Sequence, residues 1–172
     1  MDPDELERRF AAVPAPPVDG GTVQLIVVRK EGAHEQPARA RLSTARGVHG
    51  DRWADGEHPD PEAQVTLIER RVAELIAGGD RERLHVPGDN FVVDLDLSFD
   101  ALPAGTRLRL GTAVVEITAK PHAGCHKFRA RFGDDVLRWV NDREHRPRRL
   151  RGVNARIVED GEVAVGDRIA RV

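Results

Sequence analysis

A mainly β chain with α insertions, closed into a compact β-barrel, is the architecture this sequence predicts. Many short strand-like runs are punctuated by turn residues, with 16 glycines and 11 prolines in 172 residues. Only two or three segments carry helical periodicity. Aromatic residues make up 4% of the chain and tyrosine is absent, so the core has to be built from Val, Leu, Ile and Ala. A chain of this length buries a core as one domain without disulfide staples.

The elements follow in order. Pro3–Ala12 reads as a short amphipathic helix with Leu6 and Phe10 at i, i+4, and the run Val13-Pro14-Ala15-Pro16-Pro17 ends it. Gly21–Lys30 alternates as a strand, and a second strand fits Pro37–Thr44. Gly47–Glu62 is rich in Gly and Pro and reads as loop. Thr66–Gly78 has the clearest helical spacing in the chain, with Thr66 and Glu69 placed as a capping box and Gly78-Gly79 as its stop. Phe91–Leu95 is a short strand, and Arg107–Leu110 with Ala113–Thr118 form a hairpin through Gly111-Thr112. Cys125–Phe132 reads as a short helix opening after Gly124, and a further helix fits Asp134–Arg143. Two strands, Ala155–Glu159 and Asp167–Val172, close the chain across the turn-rich Asp160-Gly161 and Val165-Gly166.

Charge is divided along the chain. The formal net charge is −2, yet acidic residues dominate Asp80–Asp100 while Lys120–Arg156 is rich in Lys and Arg. A local basic surface on a near-neutral protein points to an anionic small ligand, not to a nucleic-acid duplex, which wants a broad basic face. No apolar run approaches a membrane span, and the acidic start Met1-Asp2-Pro3-Asp4-Glu5 lacks the layout of a signal peptide. A lone thiol fits a reducing compartment, and a cytoplasmic location is expected.

That thiol is Cys125, the one cysteine. Alone it closes no intramolecular disulfide. It lies in Lys120-Pro121-His122-Ala123-Gly124-Cys125-His126-Lys127-Phe128-Arg129, among potential cations that favour thiolate over thiol. A position at the start of a helix favours thiolate further. Most free cysteines serve as small buried apolar side chains, but this charged neighbourhood argues against deep apolar burial. His122, Cys125 and His126 can instead be read as half of a zinc site. Adjacent ligands fit a tetrahedral centre poorly, and no second cysteine pair completes the set.

Taken in order, several segments resemble the MOSC domain family, named for the C-terminal region of molybdenum cofactor sulfurases, in its stand-alone bacterial type. They are Gly47-Val48-His49-Gly50-Asp51-Arg52, Gln64-Val65-Thr66-Leu67-Ile68, Pro87-Gly88-Asp89-Asn90-Phe91 and Leu102-Pro103-Ala104-Gly105-Thr106-Arg107-Leu108. Cys125-His126-Lys127-Phe128, Arg151-Gly152-Val153-Asn154-Ala155-Arg156 and Val165-Gly166-Asp167 continue the series. The family often has proline directly before the cysteine, where this chain has Gly124. The resemblance implies a domain over residues 20–172, preceded at 1–19 by the helix and Pro-rich spacer, and a barrel like that of pyruvate kinase. It implies binding of the molybdenum cofactor, a pterin dithiolene with a phosphate tail. Cys125 then serves as catalytic thiol, either as the metal ligand or as a sulfur carrier.

Around that cofactor the expected binding residues are Asn90, Lys120, Arg156, Arg46, Asp51 and His126, with Arg52, Lys127 and Arg151 as further candidates for the phosphate. Arginine suits phosphate because its fork donates paired hydrogen bonds. The Asn90 amide offers both donor and acceptor edges to a pterin. Reduction of N-hydroxylated compounds is one expected activity. A non-catalytic carrier of cofactor or persulfide is the alternative. The chain has no flavin, haem or iron–sulfur motif, so an external electron donor or a sulfur donor protein is the expected partner. Pyridoxal phosphate, which accompanies a separate aminotransferase-like domain in sulfurases, is not expected here.

Overall fold

The computed structural model describes residues 1–172. Helix α1 spans Pro3–Ala12. Strands β1 (Thr22–Ile26), β2 (Val28–Lys30), β3 (Ala33–Glu35), β4 (Arg39–Ser43), β5 (Gly47–Val48) and β6 (Val65–Glu69) follow, then α2 (Arg70–Ile76) and β7 (Phe91–Asp94). The hairpin β8 (Arg107–Leu110) and β9 (Ala113–Ile117), helix α3 (His126–Asn141) and strands β10 (Val153–Glu159), β11 (Gly161–Ala164) and β12 (Ile169–Arg171) complete the chain.

Seven strands form one sheet in the order β1-β7-β6-β10-β9-β8-β12. Its two ends meet: Thr22 bridges Arg168, the Val23 amide donates to the Asp167 carbonyl (2.9 Å), and the Ile169 amide donates to Gly21 (2.7 Å). The predicted barrel-like β architecture is therefore the one observed. Because side chains alternate across a strand, Val65 and Leu67 of β6 join Phe91 and Val93 of β7 in an interior cluster of 23 buried residues. Ile68 and Val92 point outward into a second cluster of 12, built with α1, α2 and α3. Leu6 and Phe10 anchor α1 there, with the Phe10 ring set edge-on to Trp139 at 5.6 Å.

Four expectations are corrected. Val65–Glu69 is a strand, and the helix begins at Arg70. All five residues of β6 are buried, so the run shows no polar alternation and mimics helical spacing. Thr66 and Glu69 make no capping box: the Thr66 hydroxyl bonds Asn90, and Glu69 pairs with Arg71. Gly21–Lys30 is two strands in different sheets, since β1 pairs with β7 and β2 with β3. The turn-rich stretch near Gly161 holds β11, which pairs with β4. The two helices expected over Cys125–Phe132 and Asp134–Arg143 are the halves of α3, which breaks at Gly133 (φ 85°, ψ 176°). No helix is long and apolar enough to cross a membrane.

Candidate functional site

Cys125 is the N-cap residue of α3, in extended conformation (φ −112°, ψ −178°), and is exposed to solvent. Burial pushes its thiol up. The first-turn N–H groups of Phe128 and Lys127 and the charge of Arg151 outweigh this, so the pKa falls below that of an ordinary thiol. The sulfur makes no full cap hydrogen bond; those amide dipoles stay directed at it without being consumed.

One side chain holds the loop before it. The Gly124 amide donates to Asn141 Oδ1 (2.8 Å), and Asn141 Nδ2 donates to the Gly124 carbonyl (3.0 Å). A Cβ at 124 would lie 2.7 Å from Leu137 Cδ1 and 3.2 Å from both Phe128 and Val140. Glycine at this position lets the thiol loop press directly on α3. Upstream, Asn154 Nδ2 donates to the carbonyls of Lys120 and Pro121, each at 3.2 Å.

Behind the loop sits a buried charged cluster. Arg151 donates from Nη1 to Asp89 Oδ2 (2.6 Å) and from Nη2 to the Pro87 carbonyl (3.3 Å), and its guanidinium lies 4.9 Å from the Phe128 ring centre. His122 Nδ1 lies 3.5 Å from Asp89 Oδ1. Burial, with the charge of Arg151, pushes His122 down to about 4 against the pull of Asp89, so the imidazole is neutral at physiological pH. Asp89 Oδ1, His122 Nδ1 and Arg151 Nε have no hydrogen-bond partner. Buried polar atoms are normally satisfied, so this cluster holds polar capacity that the fold itself does not use.

His122 makes stability pH-dependent with a defined sign. Its folded pKa is depressed below the unfolded value, so the unfolded chain binds the proton first as pH falls. Stability should be level above about pH 6.5 and decline toward about pH 4. His122→Gln should flatten that part of the profile, measured as urea midpoint against pH. An unchanged slope would mean that the histidine protonates freely in the folded protein.

Two cationic cavities adjoin the segment His85–Asp89, one lined by His85 and Val86 and the other reached through Arg151, which bonds Pro87 and Asp89. The first, a recess of about 320 Å³, is lined by Lys30, His34, Arg52, His85 and Arg131, and no acidic residue lines it. Arg131 donates to the carbonyls of Val86 (3.0 Å) and Pro87 (3.3 Å), so Pro87 accepts from both Arg131 and Arg151. His34 Nδ1 lies 2.8 Å from the His85 carbonyl, which can only accept and so fixes the proton on that nitrogen. Burial lowers the His34 pKa; the hydrogen bond to the His85 carbonyl opposes this, and the nearby charge of Arg131 adds to the fall. Arg131 belongs to the helix that Cys125 opens, six residues on, or about 9 Å along its axis.

The second, a cleft of about 480 Å³, lies between residues 118–123 and 145–153. Lys120, Arg146, Arg149 and Arg151 line it, again without an acidic residue. His122 and Ala123 form part of its wall. Cys125 is two residues beyond Ala123, so at most about 7.6 Å separates their Cα atoms. Gly152 also lines this cleft. Its φ of +102° is left-handed, and a Cβ there would lie 2.1 Å from the Leu67 carbonyl oxygen.

The structure sorts the residues expected around the cofactor. Lys120 lines the cleft and pairs with Asp60. Asn90 is engaged within the fold: its Oδ1 accepts from the Thr66 amide (3.1 Å) and hydroxyl (3.3 Å), and its Nδ2 donates to Val27 O (3.2 Å) and Asp51 Oδ2 (3.0 Å). Fully buried, the amide has no edge left for a pterin. Asp51 is likewise structural. It accepts from Arg29 Nε (2.9 Å), Nη2 (2.8 Å) and amide (2.8 Å), and from the Trp53 amide (3.0 Å).

Arg156 pairs with Glu116 on the outer face of the sheet (2.6 Å), three residues along β10 from the cleft. Arg46 is exposed in the turn between β4 and β5, and His126 is exposed in a separate hollow with Arg129 and Asp134. Of Asn90, Lys120 and Arg156, expected to converge on one cleft, only Lys120 lines it, together with His122 and Arg151, and Arg151 acts on Cys125 through its charge. The motif Gly88-Asp89-Asn90 does reach this region, through Asp89. No group of three or more His, Cys, Asp or Glu side chains is placed to hold a metal ion by itself.

A sequence profile of the MOSC domain matches residues 54–170. The chain belongs to the MOSC domain family. YiiM from Escherichia coli superposes with a TM-score of 0.60 at 16% identity, over 88% of this chain and 69% of that one. The YUAD protein from Bacillus subtilis gives 0.63 at 14% identity, over 87% and 93%. YiiM from Geobacillus stearothermophilus gives 0.57 at 15%, over 92% and 75%. At these identities the likeness is one of fold. No curated protein matches the chain.

Proposed function

We propose that this protein binds the molybdenum cofactor, with Cys125 as the thiolate that completes the metal's sulfur ligand set. Beyond family membership, one observation carries the reading. An exposed thiol of lowered pKa heads the helix whose Arg131 enters a cationic recess lined by no acid. Soft thiolate suits molybdenum, and Lys30, Arg52 and Arg131 suit a phosphate dianion. The polar atoms left unpartnered on Asp89, His122 and Arg151 supply further capacity for a polar ligand.

When bound, the cofactor supplies redox chemistry at its metal, such as removal of oxygen from N-hydroxylated compounds. The chain's own residues prepare for it. The N–H groups of Lys127 and Phe128 hold Cys125 toward thiolate. Lys30, Arg52 and Arg131 would neutralise its phosphate. Neutral His122 presents a hydrogen-bonding group without adding positive charge beside the thiol. A reductase of this kind takes electrons from an external donor. The solvent exposure of Cys125 favours a second reading, in which a partner protein's thiolate takes the outer sulfur of a Cys125 persulfide and Cys125 leaves as thiolate, without other turnover.

The test is to produce the protein in a host that makes the cofactor and to measure released pterin by fluorescence after oxidation. Wild type should carry it, and the double variant Lys30→Ala, Arg52→Ala should carry about tenfold less or lower still. Wild type free of pterin would overturn the cofactor reading and leave the persulfide one.

A further inference from the structure

We propose that the cleft between residues 118–123 and 145–153 is a ligand site separate from the recess, and that it takes a planar aromatic ring carrying a carboxylate. Its lining combines the polar side chains of Thr118, His122 and Asn141 with apolar Val140, Leu150 and Val153, and every charged side chain in it is basic. Lys120 is already paired with Asp60. Arg149 spends its Nη1 on the carbonyls of Leu97 and Leu102 and has no carboxylate partner, and burial lowers its pKa. Arg146 completes the uncompensated pair lining the cleft.

The mouth is built around Phe99. Its ring is 50% exposed although the protein has few aromatics, and the Arg149 guanidinium sits 3.8 Å from the ring centroid. The Phe99 amide donates to the Pro147 carbonyl (2.9 Å), which ties this plate to the turn that carries Arg146 and Arg149. A rigid aromatic–guanidinium plate offers a stacking surface to another flat ring.

The two chemistries select one ligand class. A bare oxyanion would leave the apolar wall and the Phe99 face in water. A neutral hydrocarbon would desolvate Arg149 and Arg146 without a counter-charge, which is costly. An aromatic carboxylate satisfies both, and a cleft of about 480 Å³ falls within the range of small-molecule sites, roughly 300–1,000 Å³. That such a ligand is the substrate of the Cys125 site rests on the cofactor reading; its binding does not.

The test uses the full chain purified without cofactor and 2-naphthoate as the probe, followed by calorimetry. Saturable binding is expected, about tenfold weaker for the neutral analogue 2-naphthalenemethanol. Phe99→Ala and Arg146→Gln, both at exposed positions, should each weaken naphthoate about five- to tenfold. Arg156→Ala, on the outer sheet face, should leave binding unchanged. Equal affinity for the neutral analogue, or unaltered binding in both cleft variants, would overturn the assignment. So would competition between naphthoate and loaded cofactor, because the cleft would then belong to the cofactor. Failure of the pterin measurement with naphthoate binding intact would remove the cofactor reading and keep this site.

Discussion

Cys125→Ser should abolish cofactor-dependent reduction and persulfide loading while leaving the fold standing. Serine oxygen is a hard, poor donor to a metal held by soft sulfur and carries no transferable sulfur. The side chain is exposed and makes no cap hydrogen bond, so little packing is lost. Stability should change by no more than about 0.5 kcal/mol, read from urea unfolding. In the wild type, alkylation of Cys125 should show a midpoint pH below that of a free thiol, since the amides of Phe128 and Lys127 and the charge of Arg151 overcome the effect of burial. Retained activity in the serine variant would remove the thiol from the mechanism.

Asp51→Ala should have the largest effect on stability. The carboxylate is buried and answers the guanidinium and amide of Arg29, the Trp53 amide and the Asn90 amide group. Removing it strands a half-buried arginine and three other donors. Breaking a buried pair in this way costs about 3–5 kcal/mol, a large part of what a domain this size possesses. Burial alone would raise the Asp51 pKa, but the hydrogen bonds and charge of Arg29 prevail and hold it low. The contribution is therefore present above the unfolded carboxylate pKa of about 3.9 and lost as pH falls below it. Equilibrium unfolding distinguishes this from a ligand-contacting role. A variant of native stability that merely bound anions less tightly would make Asp51 a binding residue after all.

What the sequence makes legible is set by how local each signal is. The hairpin β8–β9, helix α1 and the break of α3 at Gly133 are written in neighbouring residues, and they stand where periodicity and turn signals put them. Strand β6 is written in long-range pairing with β7 and β10, so its uniformly buried residues carry no alternation to read. Strand β11 hides among turn residues because its pairing partner β4 lies more than a hundred positions earlier.

The site divides in the same way. The activation of Cys125 follows from its position at a helix start, which glycine and the charge pattern announce. The fate of Asn90 does not follow. An amide that could read a pterin is consumed by Thr66, Val27 and Asp51, and only the fold brings those groups to it. Arg156 stands opposite Glu116 of β9 and pairs with it, a partner that only the strand register reveals. The recess is not legible in the sequence, because Lys30, Arg52 and Arg131 are scattered over a hundred residues and only the fold brings them to one cavity.

Molybdenum K-edge absorption on protein made in a cofactor-competent host reads the metal's sulfur neighbours directly. Wild type should show one more sulfur scatterer than Cys125→Ser, with pterin content similar in both because Lys30, Arg52 and Arg131 are untouched. An identical metal environment in the two proteins would contradict Cys125 as ligand and leave the exposed thiol with sulfur transfer alone.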